Sequence, residues 1–402
     1  MRVLLLQRLL YAPAYGGANK SNQFLLKELV KKGHTCAAVA PRSASWGSVA
    51  EHNDSWAEAA RRGWEVLSRS STRLTYISSG VTVHAIAPDP NELQACIRGF
   101  QPDCAIVSSE DPGQILLRAA LHSRAPVIYL AHTTLALPFG PDCAVPSENG
   151  TELLERAAAI VCDSKYIYEY CVRWGKGNPI HLPFQIYAPG PFPAHGTREE
   201  GLVFMVNPCD VKGLPIFLEL ARRFPNQRFG AVPTWGTTSA DLQKMNAIPN
   251  VTLQPPSENI DAVFERTYVL LVPSLWAEAK GRIAIEAMAR GIPVLASDSG
   301  GLPEAKLGVD YVLPVCKIQH YSRQWDERFL PMAEIPAQDV GPWEAALARL
   351  LEDREHYEEL SRESRAAASA EIEQSTIDAF DRLIAGICAE GRAPLASRRT
   401  SR

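Results

Sequence analysis

The chain of 402 residues is longer than one hydrophobic core usually supports, so its length predicts two domains. Its 41 lysines and arginines and 45 aspartates and glutamates are interspersed, and the net charge of −4 argues against a nucleic-acid-binding surface. The nine cysteines show no Cys-x-x-Cys spacing, and the apolar runs are too short to span a membrane. We therefore expect a cytoplasmic protein with no nucleic-acid partner and no integral membrane segment.

Short apolar runs alternate with helical segments along the first half of the chain. Arg2 to Leu6 predicts a buried strand, residues 11–17 contain proline and glycine, and residues 21–32 predict a helix. Further strands are predicted at 82–87, 104–107, 127–130 and 159–162. Such alternation is typical of a parallel sheet whose strands are joined by crossover helices.

A second alternation begins after a segment rich in proline and glycine at residues 183–196. It predicts strands at 202–206, 229–232, 251–254, 269–272 and 294–296, and helices at 215–223, 261–266 and 282–290. Residues 343–373 predict a pair of surface helices, and residues 377–387 a closing helix. We therefore predict an α/β fold with two Rossmann-like doubly wound domains facing across a cleft, with ligands beyond the carboxyl ends of the strands.

The run from Pro273 to Glu304 contains the most specific pattern in the sequence. It reads Pro-Ser-Leu-Trp-Ala-Glu at 273–278, Gly-Arg at 281–282, Glu-Ala-Met-Ala at 286–289 and Gly-Gly-Leu-Pro-Glu at 300–304. With these strings the chain resembles the retaining glycosyltransferases of family four, which have the GT-B fold and a Glu-x7-Glu signature, matched by Glu278 and Glu286. The resemblance extends over nearly the whole chain.

The resemblance assigns roles to the predicted domains. Residues 1–190 would form the N-terminal, acceptor-side domain and residues 191–372 the C-terminal domain that binds the nucleotide sugar. A helix at 373–390 would return to the N-terminal domain, and residues 391–402 are predicted to be a disordered tail.

The Glu-x7-Glu segment has a physical interpretation of its own. Glu278 ends a strand-to-helix loop, and residues 281–283 (Gly281, Arg282, Ile283) open a helix whose free amides favour a diphosphate. A carboxylate one turn further, Glu286, could accept both hydroxyls of a ribose. In the resembled family the first glutamate contacts donor-sugar hydroxyls and the second the ribose. The alternative is that both carboxylates are merely solvated.

Lys212 follows the predicted strand at 202–206 and matches the phosphate-binding lysine of the resembled family. The family commonly has an arginine near Asn207, also a donor-binding candidate, and this chain lacks that arginine. Arg282 is the first candidate for the missing charge, since a guanidinium binds phosphate in a bidentate manner, and Lys280 is the second.

Other candidates follow predicted strands. His132 matches the cleft histidine of the resembled family and is interpreted as a hydrogen-bonding partner of the donor sugar; with Lys212 and Glu278 it completes the predicted catalytic set. The remaining donor-binding candidates are Gly16, Gly17, Trp235 and Pro255, and the acceptor-binding candidates are Asn19, Ser109 and Glu110.

Together these residues predict a retaining, metal-independent glycosyltransferase that moves a hexose, with a UDP-sugar favoured, to a small-molecule, natural-product or envelope acceptor. The nucleotide sugar is a co-substrate, and neither a metal nor another cofactor is expected. The alternatives are another GT-B nucleotide-sugar enzyme, such as an epimerase or a sugar-phosphate synthase, and a catalytically silent nucleotide-sugar-binding module. A dinucleotide-dependent dehydrogenase is disfavoured because no Gly-x-Gly-x-x-Gly follows either first strand. A homodimer is left open.

Overall fold

A computed structural model describes residues 1–14, 16–43, 55–184, 186–195, 201–327 and 330–392. The described residues form two compact units. The first unit contains those up to residue 186 together with residues from 375 onward, and the second contains those from 187 to 374. Among the described residues, no helix has the length and hydropathy needed to cross a membrane.

The first unit is built on a nine-stranded sheet, in the order β3-β4-β5-β2-β1-β6-β7-β8-β9. The strands are β1 (Arg2–Leu6), β2 (Thr35–Pro41), β3 (Val66–Arg69), β4 (Arg73–Ser78), β5 (Val81–Ile86), β6 (Cys104–Ser108), β7 (Val127–Ala131), β8 (Ala159–Cys162) and β9 (Pro179–His181). Strand β4 is antiparallel to both β3 and β5, whereas the other neighbouring pairs are parallel. The β3–β4 pair has no counterpart in the sequence prediction.

Helices connect the parallel strands of the first unit. They are α1 (Gly17–Lys31), α2 (Ser55–Arg62), α3 (Pro90–Phe100), α4 (Ile115–Leu121), α5 (Glu148–Glu155) and α6 (Lys165–Trp174). The buried face of α1 carries Leu25, Leu26 and Leu29, but also the polar residues Asn19 and Asn22. Phe24 and Val30, which flank this face, are half-buried.

The second unit contains a six-stranded, fully parallel sheet in the order β12-β11-β10-β13-β14-β15. Its strands are β10 (Leu202–Val206), β11 (Phe229–Val232), β12 (Val251–Leu253), β13 (Thr267–Val272), β14 (Val294–Ser297) and β15 (Val312–Leu313). This is the 3-2-1-4-5-6 order of a Rossmann sheet, whose ligands bind beyond the carboxyl ends of the strands. A separate antiparallel pair, β16 (Tyr321–Trp325) and β17 (Pro331–Ala333), was not predicted.

The connections in the second unit include seven helices. They are α7 (Leu214–Arg223), α8 (Ser239–Asn246), α9 (Ile260–Phe264), α10 (Arg282–Met288), α11 (Leu302–Ala305), α12 (Gly341–Glu352) and α13 (Arg354–Gln374). Helices α12 and α13 correspond to the predicted surface pair, but one face of the pair is buried: Trp343 is completely covered, and Tyr357 stacks on Tyr268 with ring centroids 4.1 Å apart. Helix α8 was missed. Its Thr238–Asp241 capping box supplied a local signal.

The C-terminal helix α14 (Asp378–Arg392) packs within the first unit. Phe380 is fully buried against Phe184, and the His34 Nε2 atom lies 2.8 Å from a carboxylate oxygen of Asp381. From residue 393 on, the predicted disordered tail lies outside the described residues. The prediction of an α/β fold with Rossmann-like doubly wound domains is confirmed.

Candidate functional site

Two loops of the second unit meet at the carboxyl ends of the central strands β10 and β13. The backbone amides of Leu275 and Trp276 both donate to the Val211 carbonyl, at 3.0 and 3.2 Å. Gly213 has φ +86°, and a Cβ atom there would lie 2.0 Å from the Pro273 carbonyl oxygen. Only glycine therefore permits this close approach of the two loops. Lys212, in the 3₁₀ turn Asp210–Lys212, is thereby held beside the 274–278 segment.

An ion pair joins the two loops. The Lys212 ammonium contacts the Glu278 carboxylate, and the Ser274 hydroxyl donates to the same carboxylate oxygen over 2.5 Å. Both charged side chains are largely buried, with exposures of 16% for Lys212 and 14% for Glu278. Burial alone raises the pKa of Glu278, but the Lys212 charge and the hydrogen bonds outweigh it and lower the pKa below its ordinary value. Glu278 is therefore ionised at neutral pH.

Two indole rings flank the Lys212 ammonium. The nitrogen lies 4.3 Å from the Trp276 ring centroid and 5.8 Å from that of Trp235. The two rings are tilted by 35° with centroids 5.9 Å apart. Cation–π attraction from both rings, added to the ion pair, holds the ammonium in place before any ligand arrives.

The end of β14 and the loop after it hold the Glu278 segment in place through hydrogen bonds. The Gly301 amide donates to the Glu278 carbonyl over 2.7 Å, and the Ser297 and Ser299 hydroxyls donate to the carbonyls of Ser274 and Trp276, each over 2.7 Å. This support gives the Gly-Gly string at 300–301 a structural role that the sequence interpretation did not assign.

Gly300 provides a test of this support. It has φ +61°, and a Cβ atom there would lie 2.3 Å from the Glu278 carbonyl oxygen and 2.4 Å from its amide nitrogen. We expect Gly300→Ala to displace Glu278 and to lower kcat/KM about 100-fold, since small misplacements of reacting groups have effects of that size.

The matched control is Gly308→Ala. Gly308 has a similar φ of +80°, but nothing lies within 4 Å of its added Cβ, so it shares the backbone strain without the clash. This control should lose about 1 kcal/mol of stability and keep its activity. Equal activity losses in the two variants, measured by steady-state kinetics, would contradict the assigned support.

The second glutamate of the signature is also paired. Arg282, the first residue of α10, donates from Nε to Glu286 over 2.9 Å, and its guanidinium lies 5.3 Å from the Tyr187 ring centroid. Gly281 precedes the helix with φ +71°, and Ile283 follows Arg282 in the first turn. The Lys280 ammonium lies 3.9 Å from Glu371 on α13. Both cations of this segment, Lys280 and Arg282, therefore face a carboxylate.

Asn207 lies at the end of β10, near the place where the resembled family commonly has an arginine. It adopts φ +59°, and its side-chain oxygen accepts the Gly236 amide over 2.9 Å. Among the described residues, no acceptor contacts its buried Nδ2 atom. Pro255, the other predicted donor residue, lies exposed beyond the end of β12, two strands away from β10.

The remaining predicted residues lie in the first unit, at the carboxyl ends of β1, β6 and β7. The His132 amide donates to the Ser109 hydroxyl over 2.8 Å, and the Ser108 hydroxyl donates to Glu110 over 2.5 Å. Asn19 is buried and donates to the Leu10 carbonyl over 2.8 Å. Gly16 caps the N-terminus of α1, which begins at Gly17.

Sequence reasoning missed Gln7 and Asn22, which link these residues. Asn22 is completely buried, and its Oδ1 atom lies 3.0 Å from Nε2 of His132. A signal was present, because Asn22 falls on the same helical stripe as Leu25, Leu26 and Leu29. A polar side chain on a buried stripe needs hydrogen-bonding partners, and the loops at the strand ends supply them.

Comparison with known families and curated proteins points to one class of enzyme. Residues 238–323 match the family model described as glycosyl transferases group 1. The D-inositol 3-phosphate glycosyltransferase of Nocardia farcinica is 35% identical over 99 residues, 22% of either chain. The Mycobacteroides abscessus protein of the same name is 26% identical over 212 residues, 45% of this chain and 47% of that one. The matched regions thus cover less than half the length of these relatives.

Solved structures resemble the whole chain. Sucrose-phosphate synthase from Thermosynechococcus elongatus has a TM-score of 0.67 at 16% identity and covers 97% of this chain and 98% of its own. HepE from Anabaena, solved with UDP-glucose, has a TM-score of 0.64 at 14% identity over 97% of this chain and 100% of its own. These likenesses show the GT-B fold, and the family model and curated relatives support a glycosyltransferase.

Proposed function

We propose that the chain transfers a hexose from a nucleotide diphosphate sugar to an acceptor, and that its second unit binds this donor. The observation that carries the proposal is the Lys212–Glu278 pair at the carboxyl ends of the central strands. Such loops are where Rossmann sheets bind nucleotides. Glu278, Glu286 and the intervening Gly281 also lie inside the segment that matches the glycosyltransferase model.

The two ion pairs of this site suggest how the donor binds. Without ligand, Lys212 pairs with Glu278 and Arg282 with Glu286, so the two pairs are neutral together. A nucleotide sugar brings phosphates for the two cations and hydroxyls for the two carboxylates. Each carboxylate that gives up its cation then gains hydroxyl donors, which matters because a buried carboxylate without hydrogen-bond donors is costly. The site should therefore favour an intact nucleotide sugar over pyrophosphate.

The cations that bind the donor phosphates also explain the catalytic effect. Cleavage of the anomeric C–O bond places negative charge on the departing diphosphate, and preorganised cations stabilise that charge. In the proposed mechanism Lys212 and Arg282 act on the phosphates without a metal ion, while Glu278 holds the sugar hydroxyls. The acceptor hydroxyl attacks from the same face as the departing diphosphate and passes its proton to a phosphate oxygen of that leaving group, so the anomeric configuration is retained.

The substrates of similar proteins guide the choice of test compounds. HepE was solved with UDP-glucose, which favours a UDP-hexose as the donor. The curated relatives are named for D-inositol 3-phosphate, so an inositol phosphate is the first acceptor to test, followed by natural-product and envelope acceptors. We place the reaction in the cytoplasm.

A product assay tests the proposal. The protein is incubated with UDP-glucose or UDP-N-acetylglucosamine and each acceptor in chelator, and both UDP release and the glycosylated product are measured. The proposal expects both to form in equal amounts, with the donor's anomeric configuration retained. Product of inverted configuration would contradict the proposed stereochemistry, and product that requires added metal would contradict the metal-independent mechanism.

Asn207 favours a second candidate, a catalytically silent nucleotide-sugar-binding module. A neutral amide stands where the resembled family commonly has a phosphate-neutralising arginine. Nucleotide-sugar binding without turnover across the acceptor panel would support this module over the enzyme.

Arg282 is the proposed replacement for that arginine. We expect Arg282→Ala to weaken nucleotide-sugar binding about 10- to 100-fold, because one charge-assisted contact to phosphate is lost and Glu286 remains without its cation. The control is Arg222→Ala, which removes an exposed arginine on α7. Titration calorimetry measures both variants. If Arg282→Ala binds the nucleotide sugar as tightly as the wild type, Arg282 does not supply the missing charge.

A further inference from the structure

We propose that Asn22 is a positioning residue that determines which ring nitrogen of His132 is presented to the ligand. The inference rests on the proposed function in one respect, together with the role that the family resemblance implies for His132, a contact with the donor sugar. It is carried by a network of buried hydrogen bonds at the carboxyl ends of β1, β6 and β7 in the first unit.

The network starts at two backbone carbonyls, which can only accept hydrogen bonds. The Gln7 Nε2 atom lies 2.8 Å from the Leu9 carbonyl and 3.1 Å from the Leu10 carbonyl. Its amide must therefore direct the NH₂ group towards these carbonyls and its Oε1 atom the other way. The orientation of Gln7 is thus fixed by groups that cannot change roles.

This orientation fixes Asn22 in turn. The Asn22 Nδ2 atom lies 3.2 Å from Oε1 of Gln7 and 2.9 Å from the Ser108 hydroxyl, which itself donates to Glu110. The NH₂ group of Asn22 therefore donates to both, and its Oδ1 atom is left as an acceptor. Because Asn22 is completely buried, a flipped amide would leave unsatisfied polar groups, at a cost of about 1–3 kcal/mol for each.

His132 is the last member of the network. Its Nε2 atom lies 3.0 Å from Oδ1 of Asn22, and an acceptor there requires that Nε2 carries a proton. The His132 backbone amide donates to Ser109 over 2.8 Å and holds the start of the loop. In the part of the chain that the structure describes, Nδ1 makes no hydrogen bond, and the side chain is only half-buried. Neutral His132 therefore presents a lone pair on Nδ1.

This tautomer specifies the chemistry of the ligand group that His132 can bind. A lone pair on Nδ1 accepts a hydrogen bond, so its natural partner is a hydroxyl of the sugar substrate and not a carbonyl oxygen. The opposite tautomer would direct two lone pairs at each other across the Asn22–His132 contact. Asn22 thus orients the ring and selects a hydroxyl-bearing ligand without touching it.

The first test reads the tautomer directly, in the full chain and without ligand. Nitrogen-15 NMR of histidine-labelled protein distinguishes the two ring nitrogens, and a His132→Gln spectrum identifies the His132 signals among those of the nine histidines. At a pH at which the ring is neutral, we expect a single tautomer with the proton on Nε2. A wild-type His132 with its proton on Nδ1 would overturn the proposal. This measurement does not require a variant of Asn22.

The second test uses Asn22→Leu, which replaces the amide with an apolar group of similar size. The proton should no longer be confined to Nε2, so a mixture of tautomers is expected, and kcat should fall about 10- to 100-fold, by analogy with metal-bound histidines that lose the partner of their second nitrogen. The KM for the nucleotide sugar should change less than threefold. Ser108→Ala removes a partner of Asn22 but leaves Oδ1 in place, so it should keep the Nε2–H tautomer.

Two comparisons separate this proposal from a structural defect and from failure of the proposed function. Asn91→Leu, an exposed substitution in the same unit, should change neither the tautomer nor kcat. An unchanged tautomer in a folded Asn22→Leu protein overturns the proposal even if kcat falls. Failure to bind any nucleotide sugar would overturn the proposed function, whereas the tautomer measurement, made without ligand, would still decide the role of Asn22.

Discussion

Lys212→Ala is expected to lower kcat/KM about 1,000-fold and to weaken binding of both the nucleotide and the nucleotide sugar. The variant removes the ammonium that the ion pair and the two indole rings hold at the strand ends, and with it the stabilisation of the departing diphosphate. It also leaves the buried carboxylate of Glu278 without its cation, so the pKa of Glu278 should rise.

Lys244→Ala is the matched control. Lys244 lies on α8 of the same unit, is 44% exposed, and pairs with Asp210 at 3.1 Å, in the same 3₁₀ turn that contains Lys212. Its removal tests whether any nearby positive charge suffices. Steady-state kinetics and calorimetry on the two variants, with circular dichroism to check folding, give the comparison. Similar losses in both variants would contradict the specific role of Lys212.

Glu278→Gln is expected to separate recognition of the sugar from recognition of the nucleotide. The amide keeps the shape but loses the charge, so binding of the sugar hydroxyls and kcat should fall about 100-fold. UDP alone should bind at least as tightly as to the wild type, because Lys212 no longer has a competing carboxylate. The wild-type preference for UDP-sugar over UDP should therefore be lost.

The control for this prediction is Glu265→Gln, an exposed substitution between α9 and β13. Calorimetry with UDP and with UDP-sugar, in the same buffer, measures the preference in each protein. If Glu278→Gln lost affinity for UDP and UDP-sugar equally, the proposed exchange of ion-pair partners would be wrong. The double variant with Lys212→Ala should lose less than the sum of the two single changes, since the residues act as one unit.

The sequence was sufficient to predict the repeated strand–helix architecture because buried parallel strands are continuous apolar runs. Strands β10 and β13 were predicted to within a few residues, and Lys212 and Glu278 lie in the loops that follow them. Since the carboxyl ends of parallel strands lie at one edge of the sheet, the predicted strands placed both side chains at the same edge, and the observed adjacency of β10 and β13 brings them together.

The partners of these residues could not be predicted in the same way. Sequence spacing did not reveal that Lys212 pairs with Glu278, or that Lys280 faces Glu371 on a helix far along the chain. Such contacts depend on side-chain directions and on close approaches between loops, which glycines with positive φ values permit. The interpretation of Lys280 as a phosphate ligand stays a prediction.

The polar network of the first unit was missed for a related reason. Helical periodicity was read from apolar residues, so Asn22 was not assigned to the buried face of α1 although it shares that face with Leu25. Strands β3 and β16 were missed because their mostly exposed residues form no apolar run, and with them the β3–β4 and β16–β17 pairs were missed. Buried polar residues therefore carry information that apolar patterns do not.

The most direct test of the central claim is the stability of wild type and Lys212→Ala with UDP, GDP, ADP and their sugar conjugates in chelator. A ligand at 100 times its Kd should add about 2.7 kcal/mol to the free energy of unfolding. We predict that one nucleotide class, with UDP favoured, stabilises the wild type and that Lys212→Ala loses the effect. A folded wild-type protein that no nucleotide or nucleotide sugar stabilises would contradict the claim that the second unit binds a nucleotide sugar at Lys212 and Glu278.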